Sequence, residues 1–424
     1  MNLHAVWTGG LMTAALVLNA AVPDLAEEID PKGTLFDTLT PENLQNNSVL
    51  KSGSFFKWVS AKRDAARYQA LGRRSLTLFS EPVPEAILQF KDGRLDQIYV
   101  AVYNRGDSGT LADEKAFDRK VEAVSAQLTA KSGGKMQESK KRLNSKNTVF
   151  MRVWDVPPLM YCLRWSSKEN DGVFQGEYIL VSVSRSGGGA SVIEKAEKTA
   201  SSLPKNVKHT PQKDVYIDGI PMVDQGKKGY CVPAVVERIL KYYGVEGVTQ
   251  HTIAQIGESD AGRGTNVKEM YTALKRISNK FGCRLEEHYM FLENLGDFRS
   301  FLNKYNSIAR RNKTSILKPV QRGDTIYVGR TMRLAQPDIV RQVRLDDKSG
   351  YRKFGKKVHD SVDRGIPLIW CVPGHMRLII GYNDADSSVV FSDTWGVKHE
   401  FKKMPVEDAW VMTYALYTME PRKK

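Results

Sequence analysis

The 424-residue sequence predicts an α+β protein made of two units. Before residue 203, short alternating runs typical of strands are interrupted by amphipathic helical patterns. A second set of elements begins with an apolar helical pattern at Cys231 and continues with strand patterns after residue 366. Between the two sets, residues 204–214 are polar and contain proline, which is typical of a linker at a domain boundary.

The beginning of the chain has the pattern of an export signal. Residues 5–22 are mostly apolar, and we interpret residues 1–26 as a secretory signal peptide with Ala20, Ala21 and Ala26 as candidate cleavage positions. Because no Lys or Arg precedes the apolar run, an uncleaved N-terminal membrane anchor is the alternative. No later segment is long and apolar enough to span a bilayer. We therefore expect an exported protein, periplasmic or extracellular, with no integral membrane span after signal removal.

The first unit, residues 27–203, is predicted to be a smaller α+β domain. Its predicted helices cover residues 59–71, 113–131 and 191–203, and its predicted strands cover residues 75–80, 86–91, 97–104, 148–154, 159–165 and 177–184. No catalytic constellation falls in this unit. We expect an accessory domain that positions substrate, and the alternative is an inhibitory prosegment released by cleavage in the linker.

The second unit, residues 215–424, contains the candidate chemistry. Its predicted helices begin with residues 231–244 and continue with residues 249–256, 266–281, 291–312 and 358–364. Its predicted strands cover residues 368–372, 378–382 and 389–392. The third of these helices opens with a capping box made by Asn266 and Glu269.

A cysteine stands at the start of the first of these helices. Pro233 suits the first turn and Gly244 suits the end of the helix. At this position Cys231 feels the positive end of the helix dipole, which favours a thiolate over a thiol. Gln225 lies six residues before it and can offer an amide N–H to a developing oxyanion. This stretch is one half of a cysteine nucleophile site.

The other half is predicted near the end of the chain. His375 precedes an apolar strand, and Asp393 ends the next strand, 18 residues later. Antiparallel neighbours would place Asp393 beside His375, where it accepts a ring N–H and orients the other ring nitrogen towards Cys231. We expect Trp395 to cover the bond between His375 and Asp393 and to keep water off it. Each feature alone is commonly structural, but the conjunction of Gln, Cys, His and Asp at structural junctions favours catalysis.

The remaining cysteines and the charge suggest no cofactor but leave a second partner open. Cys162, Cys231, Cys283 and Cys371 include no CxxC pair, so we expect no metal, no cofactor and no disulfide framework, although one pair among the three others can bridge. The formal net charge is +15, and residues 299–357 hold sixteen Lys or Arg and four Asp. This basic insert predicts an anionic polymer as a partner, with a solvated basic surface as the alternative. Nucleic acid is not expected, because no zinc-finger or aromatic-interleaved pattern is present.

The region from about residue 215 to 419 resembles the papain-like cysteine peptidases, nearest the branch related to bacteriocin-processing (C-39-like) peptidases. The matching stretches, in chain order, are Gln225-Gly226-Lys227-Lys228-Gly229-Tyr230-Cys231, Cys231-Val232-Pro233-Ala234, Tyr242-Tyr243-Gly244, Gly264-Thr265, Gly365-Ile366-Pro367-Leu368, His375…Gly381-Tyr382 and Asp393-Thr394-Trp395-Gly396. The first is similar to the papain-type Gln-Gly-x-x-Gly-x-Cys, and the last to the Asp-Pro-Trp-Gly of the branch.

This resemblance implies a papain-like domain in which Cys231 is the nucleophile, His375 the general base and acid, Asp393 the orienting group and Gln225 an oxyanion donor. Three departures concern the substrate. Val232 replaces a usual Gly, Met376 and Arg377 follow the histidine and place a charge at the rim, and the basic insert reshapes the cleft.

We therefore predict an exported cysteine peptidase that hydrolyses peptide bonds of a peptide or protein substrate through an acyl-enzyme. Two alternatives remain. One is a transglutaminase-like acyl transferase that uses the same three residues. The other is a catalytically inactive, peptidase-like binding module for an anionic polymer.

Overall fold

The computed structural model describes residues 22–69, 75–142, 147–170, 172–187, 198–245, 247–257, 271–275 and 278–422. Over these residues the protein is α+β, with two eight-stranded antiparallel sheets, one in each unit. Three predicted features lie wholly or mainly outside the described residues: the signal peptide, the helix at 191–203, and the segment from Gly264 to the Asn266 capping box. No described helix is long and apolar enough to cross a membrane.

In the described residues, the first unit consists of strands and four α-helices. Its helices are α1 (Leu25–Glu28), α2 (Thr34–Thr38), α3 (Arg105–Ser108) and α4 (Glu114–Ser132). Its strands are β1 (Phe56–Trp58), β2 (Ala65–Tyr68), β3 (Thr77–Leu78), β4 (Glu81–Pro82), β5 (Glu85–Lys91), β6 (Arg94–Asn104), β7 (Gln137–Arg142), β8 (Thr148–Val156), β9 (Leu159–Asn170) and β10 (Val173–Arg185).

The large sheet of this unit has the order β1-β2-β5-β6-β10-β9-β8-β7, and β3 pairs with β4. Helix α4 packs against it through the apolar stripe that the sequence predicts, with Phe117, Val121, Val124 and Leu128 buried. A stripe at this spacing lies on one face of a helix and removes apolar surface from water. The predicted helix 113–131 is therefore confirmed. Most of the predicted strands are confirmed as strands, but they are longer than expected.

One prediction in the first unit is wrong, and one strand was not predicted. The helix predicted at 59–71 is replaced by β2, which pairs with β5. Ala66 and Tyr68 are buried in this strand. Pairing with β5 stabilises the segment, whereas a helix of this length without packing partners is only marginally stable. Strand β7 was not expected, since it is an exposed polar edge strand without apolar alternation.

Helix α1 crosses the end of the predicted signal peptide. Leu25 is completely buried, and the Asp24 carboxylate accepts hydrogen bonds from the backbone amides of Ala26, Phe79 and Ser80. Cleavage after Ala26 would remove these contacts from the first unit. Of the three candidate positions, Ala20 and Ala21 are the ones that would leave α1 in place.

The second unit is built around one central hairpin, formed by residues 368–372 and 375–383. Its helices are α5 (Cys231–Tyr242), α6 (Gln250–Ile256), α7 (Leu295–Arg311), α8 (Val328–Met332), α9 (Pro337–Asp346), α10 (Lys348–Val362) and α11 (Val406–Met412). Its strands are β11 (Val207–His209), β12 (Val215–Ile217), β13 (Cys283–Met290), β14 (Gln321–Arg322), β15 (Thr325–Ile326), β16 (Leu368–Val372), β17 (His375–Asn383), β18 (Ser388–Ser392), β19 (Lys402–Pro405) and β20 (Ala415–Pro421). Short 3-10 helices cover Lys51–Phe55, Ala200–Ser202, Pro204–Asn206, Ser278–Phe281 and Val397–His399.

The main sheet of the second unit has the order β11-β12-β17-β16-β20-β13, and β18 pairs with β17 and β19. Residues 204–214, predicted as a linker, contribute β11 to this sheet, where it pairs with β12. Leu203, just before them, is buried in the core of the second unit. Leu203 and strand β11 therefore pack with elements of the second unit.

The basic insert is a small helical subdomain. Helices α7 to α10 span it, and Phe298, Tyr305, Met332, Ile339 and Val343 are among the residues of its own core. The helix predicted at 291–312 is shorter, at Leu295–Arg311, and the one predicted at 358–364 is the end of α10. Strands β13 and β20 were not predicted.

Candidate active site

Helix α5 begins at Cys231, as the sequence predicts, and ends before Gly244, which adopts the left-handed conformation with φ of +77°. Val235, Val236, Ile239 and Leu240 bury the apolar face of the helix in the core. The thiol-bearing end thus sits on a rigid element with its backbone N–H groups pointing towards it. Cys231 is partly exposed, whereas Cys162, Cys283 and Cys371 are buried, and all four are free thiols.

The structure brings together His375, at the start of β17, and Asp393, directly after the neighbouring strand β18. Nε2 of His375 lies 2.5 Å from Oδ1 of Asp393, and their side chains are 10% and 2% exposed. Cys231 lies close enough to His375 to act on the pKa of the ring through hydrogen bonding and charge. Because Nε2 is occupied by Asp393, Nδ1 is the nitrogen left for the sulfur. Sulfur, imidazole and carboxylate therefore form a chain in the predicted order.

The electrostatics of this chain favour a protonated imidazole. Burial of the His375 ring acts to lower its pKa, but hydrogen bonds to Asp393 and Cys231, together with their negative charge, raise the pKa to about 9. Burial acts in the opposite sense on Asp393, and the hydrogen bond and charge of His375 outweigh it and lower the pKa of this carboxyl. At neutral pH the pair is a carboxylate and an imidazolium.

Arg377 completes the charge balance from inside the site. Its Nε lies 2.8 Å from Oδ2 of Asp393, and its side chain is 17% exposed. The guanidinium carbon lies 5.2 Å from the centroid of the Phe391 ring. The charge expected at the rim is therefore directed inwards, onto the carboxylate that orients His375. The sequence showed the residue but assigned it the wrong surroundings.

Gln225 is buried and its amide is fixed at both ends. The hydroxyl of Thr394 donates to Oε1 at 2.6 Å, and Nε2 donates to the carbonyl oxygen of Lys228 at 3.2 Å. A hydroxyl and a carbonyl in these places define which end is nitrogen. The second N–H of Nε2 is the one left for an oxyanion. Thr394, next to Asp393, was not predicted to be a partner of Gln225.

Trp395 stacks on His375, with ring centroids 4.4 Å apart and an angle of 16° between the planes. On another side it meets His399 edge-on at 5.5 Å. The indole is 47% exposed, so one face covers the imidazole while the rest remains open to solvent. Val232, in contrast, is buried in the core and does not stand in an open cleft.

Comparison with known proteins identifies a family for this part of the chain. The model of a family described as "Peptidase_C39 like family" matches residues 205–417. The chain belongs to this Peptidase_C39 like family. A search of curated proteins gave no match. The matched residues contain both halves of the candidate site and the whole basic insert, and the family indicates a cysteine-peptidase type of fold.

Arg238, next to the candidate site, was also not predicted from the sequence. Arg238, two turns after the cysteine on α5, is buried, and burial lowers its pKa to about 10. It donates to the backbone oxygens of Asp393 and Pro221, each at 2.9 Å, and to Oγ of Ser392 at 2.6 Å. The nucleophile helix and the end of β18 are thereby locked together. A charged residue inside an apolar helical pattern was the available signal.

The first unit contacts the segment before the cysteine. We call residues 225–231 the nucleophile loop. Lys228 in this loop has a fully buried side chain, and its Nζ lies 3.3 Å from Glu85 and 2.7 Å from Asp107, both in the first unit. Glu85 also pairs with Arg67 at 3.0 Å and with His251 at 2.6 Å. A buried lysine of one unit is thus neutralised by carboxylates of the other.

Two glycines show how closely the units approach each other. Gly226 has φ of +69°, and a Cβ added there would lie 2.6 Å from the guanidinium of Arg67. A Cβ on Gly106 of the first unit would lie 2.6 Å from the ring of Tyr230. Gly226 needs the conformational freedom of glycine because of its positive φ, and at Gly106 a side chain would clash with Tyr230. The nucleophile loop is therefore packed against the first unit and not exposed to solvent on that side.

The described residues contain one group of side chains with metal-ligand spacing. Ligand atoms of Glu286, His288 and Glu420 lie within 4.8 Å of one another. His288 Nε2 already bonds to Thr418 at 2.8 Å, and Glu420 pairs with Arg364 at 2.6 Å. Two of the three groups are therefore engaged with protein partners.

Proposed function

We propose that this protein is a cysteine peptidase in which Cys231 is the nucleophile and His375 the general acid and base. The observation that carries the proposal is the position of His375 between Cys231 and Asp393, with its pKa raised to about 9 by both. In cysteine peptidases, an imidazolium that faces the cysteine sulfur stabilises the thiolate nucleophile near neutral pH.

In the proposed reaction, the thiolate of Cys231 attacks the carbonyl carbon of a peptide bond and forms an S–C bond. The N–H of Gln225 stabilises the oxyanion, and Nδ1 of His375 gives its proton to the amine as the C–N bond breaks. Water then attacks the acyl-enzyme, His375 takes its proton, and the S–C bond breaks to release the acid. Asp393 keeps the ring oriented throughout.

The test is iodoacetamide labelling of each cysteine across roughly pH 5 to 8, followed by mass spectrometry. Burial raises the pKa values of the thiols of Cys162, Cys283 and Cys371, so these three serve as internal controls. We expect rapid labelling of Cys231, slowed in His375→Ala. Turnover of a casein or peptide mixture should be lost in Cys231→Ala and retained in Cys162→Ala. A Cys231→Ala variant that stays active would refute the proposal.

The first unit is proposed to be a permanent accessory domain and not a prosegment. The charges of Glu85 and Asp107 on buried Lys228 support this role, as does the pairing of β11 with β12. Removing the unit would expose Lys228 and release the loop that carries Gln225. Limited proteolysis within residues 205–213 checks this, because we expect activity to fall after the cut, whereas a prosegment predicts a gain.

Export remains part of the proposal and rests on the apolar start of the sequence. Mass spectrometry of the N-terminus from the native host would test it, with cleavage expected after Ala20 or Ala21. Acyl transfer to an amine uses the same three residues, and product analysis with added amines separates it from hydrolysis. An inactive module that binds an anionic polymer predicts an unreactive Cys231 and binding that weakens with salt.

A further inference from the structure

A cavity of about 540 Å³ lies between β13, at the edge of the main sheet of the second unit, and the first half of α10. Its volume is within the range of about 300–1,000 Å³ of ligand pockets. Helix α11 and strand β20 supply the rest of the lining. Cys231, His375 and Asp393 do not contribute to it. The cavity is therefore separate from the candidate active site.

The buried part of the lining is apolar and largely aromatic. Trp410 on α11, Phe354 on α10 and Leu416 on β20 are buried, and Tyr289 on β13 is half-buried. The ring centroid of Trp410 is 5.1 Å from that of Tyr289 and 5.9 Å from that of Phe354. These three rings form one continuous surface, which we call the aromatic wall. An apolar group placed against it is removed from water.

Arg344, on the neighbouring helix α9, holds the aromatic wall in place. Its guanidinium carbon lies 3.8 Å from the centroid of the Trp410 ring, and Nη2 donates to the backbone oxygens of Trp410 and Thr413 at 2.7 and 3.1 Å. Nε1 of Trp410 donates in turn to the carbonyl oxygen of Arg344 at 2.9 Å. Because the wall is fixed by these bonds, it needs no ordering when a ligand binds.

Two lysines line the cavity from α10. Lys353 and Lys357 are four residues apart, so their side chains are neighbours on one face of the helix. Among the described residues neither has an ion-pair partner, whereas Lys356, between them and outside the cavity, pairs with Asp360 at 2.6 Å. Part of the excess positive charge of the basic insert is thus directed at this cavity.

The other polar groups of the lining leave the positive charge of the lysines uncompensated. Oδ1 of Asp347 accepts from the backbone amide of Gly350 at 2.9 Å and caps α10, and the side chain of Glu287 is not free either. Burial and the charge of Lys357 lower the pKa of His288 to about 4, so this ring is neutral at neutral pH. The charges available to a ligand are those of the two lysines.

We infer that this cavity binds a small organic anion, with its carboxylate beside Lys353 and Lys357 and an aromatic body against the aromatic wall. The inference does not depend on the proposed peptidase function, because no candidate catalytic group lines the cavity. Free aromatic acids and peptides that end in an aromatic residue share this chemistry. The cavity is thus a second binding site of the protein.

The test is a ligand-observed NMR titration of the full-length protein with matched probes. 1-Naphthylacetate carries the charge and the ring, 1-naphthylacetamide keeps the ring without the charge, and 1-naphthylmethylamine reverses the charge. We expect the acid to bind about 5-fold more tightly than the amide at low salt, since two partly exposed ion pairs contribute to its binding. The amine should bind most weakly, and the advantage of the acid should shrink as salt is added.

The lysines provide the decisive variant. In the double variant Lys353→Gln and Lys357→Gln, the acid should bind no more tightly than the amide. Lys356→Gln removes one positive charge from the same helix outside the cavity, so it is the matched control and should keep the preference for the acid. Thermal melts of both variants that agree with that of the wild type show that the protein remains folded.

N-acetylphenylalanine distinguishes the two sources of the anion. Tighter binding of this probe than of 1-naphthylacetate assigns the site to peptide C-termini, and the reverse order assigns it to free aromatic acids. Equal affinities of the acid and the amide, tighter binding of the amine, or a preference for the acid that survives the double variant would overturn the inference. The absence of binding by every probe at millimolar concentration would overturn it as well.

Discussion

Removing the negative charge of Glu85 should loosen the first unit from the nucleophile loop. In Glu85→Gln, the buried cations Lys228 and Arg67 lose a carboxylate at 3.3 and 3.0 Å, and His251 loses one at 2.6 Å. Breaking a buried ion pair by removing one partner costs about 3–5 kcal/mol. Asp107 still neutralises Lys228, so we expect a loss of about 3 kcal/mol in the free energy of unfolding.

The assay is urea unfolding followed by tryptophan fluorescence, with Lys62→Ala as the control. Lys62 pairs with Asp218 across the same interface at 2.7 Å, but these side chains are 58% and 38% exposed. Such a pair contributes about 0–1 kcal/mol. The reaction of Cys231 with peptidyl chloromethyl ketones should slow in Glu85→Gln and not in the control. Equal stability losses in the two variants would refute the buttressing role of Glu85.

The effect of Glu85 should also depend on pH. Burial acts to raise its pKa, but the charges of Lys228, Arg67 and His251 outweigh burial and hold the pKa well below 4.5. A carboxyl with a depressed pKa in the folded state stabilises the protein above its unfolded value and loses that contribution as acid protonates it. The difference between wild type and Glu85→Gln should therefore be constant above about pH 4.5 and shrink below it.

Three further outcomes follow from the site. Since His375 must be protonated to give a proton to the leaving amine, kcat/KM should fall above pH 9, near the pKa of His375. In pH–rate profiles of Asp393→Asn, this fall in kcat/KM should occur at lower pH. A fall at the same pH in both proteins would contradict the effect of the Asp393 charge on the pKa of His375. Arg238→Met should lower the free energy of unfolding by about 2–3 kcal/mol in thermal melts, because three oxygens lose a charged donor. A change below about 0.5 kcal/mol would show that these hydrogen bonds do not stabilise the contact between α5 and the end of β18. Trp395→Ala should raise the activation free energy of the reaction by about 0.5–1.5 kcal/mol, because the stacking contact with His375 is lost, and this is measured as a fall in kcat. An unchanged kcat would show that the indole does not help to position His375.

Local chemistry explains why part of the site was visible in the sequence. A helix that begins at Cys231 is encoded by the apolar spacing after it and by Gly244 at its end. The hairpin at Pro373 and Gly374 and the strands that follow are encoded by apolar runs with turn residues between them. Strands β17 and β18 are antiparallel neighbours, so their lengths determine the distance between His375 and Asp393. These signals are short-range, so they are complete within a few dozen residues.

The sequence by itself therefore determined the α+β class, the nucleophile helix and the order of the candidate catalytic groups. Tertiary structure decided that Arg377 faces Asp393 and that Lys228 is neutralised by Glu85. Lys228 and Glu85 are 143 residues apart in the chain. The partner of a buried charge is chosen by which carboxylate reaches it after packing, and no local pattern encodes that choice.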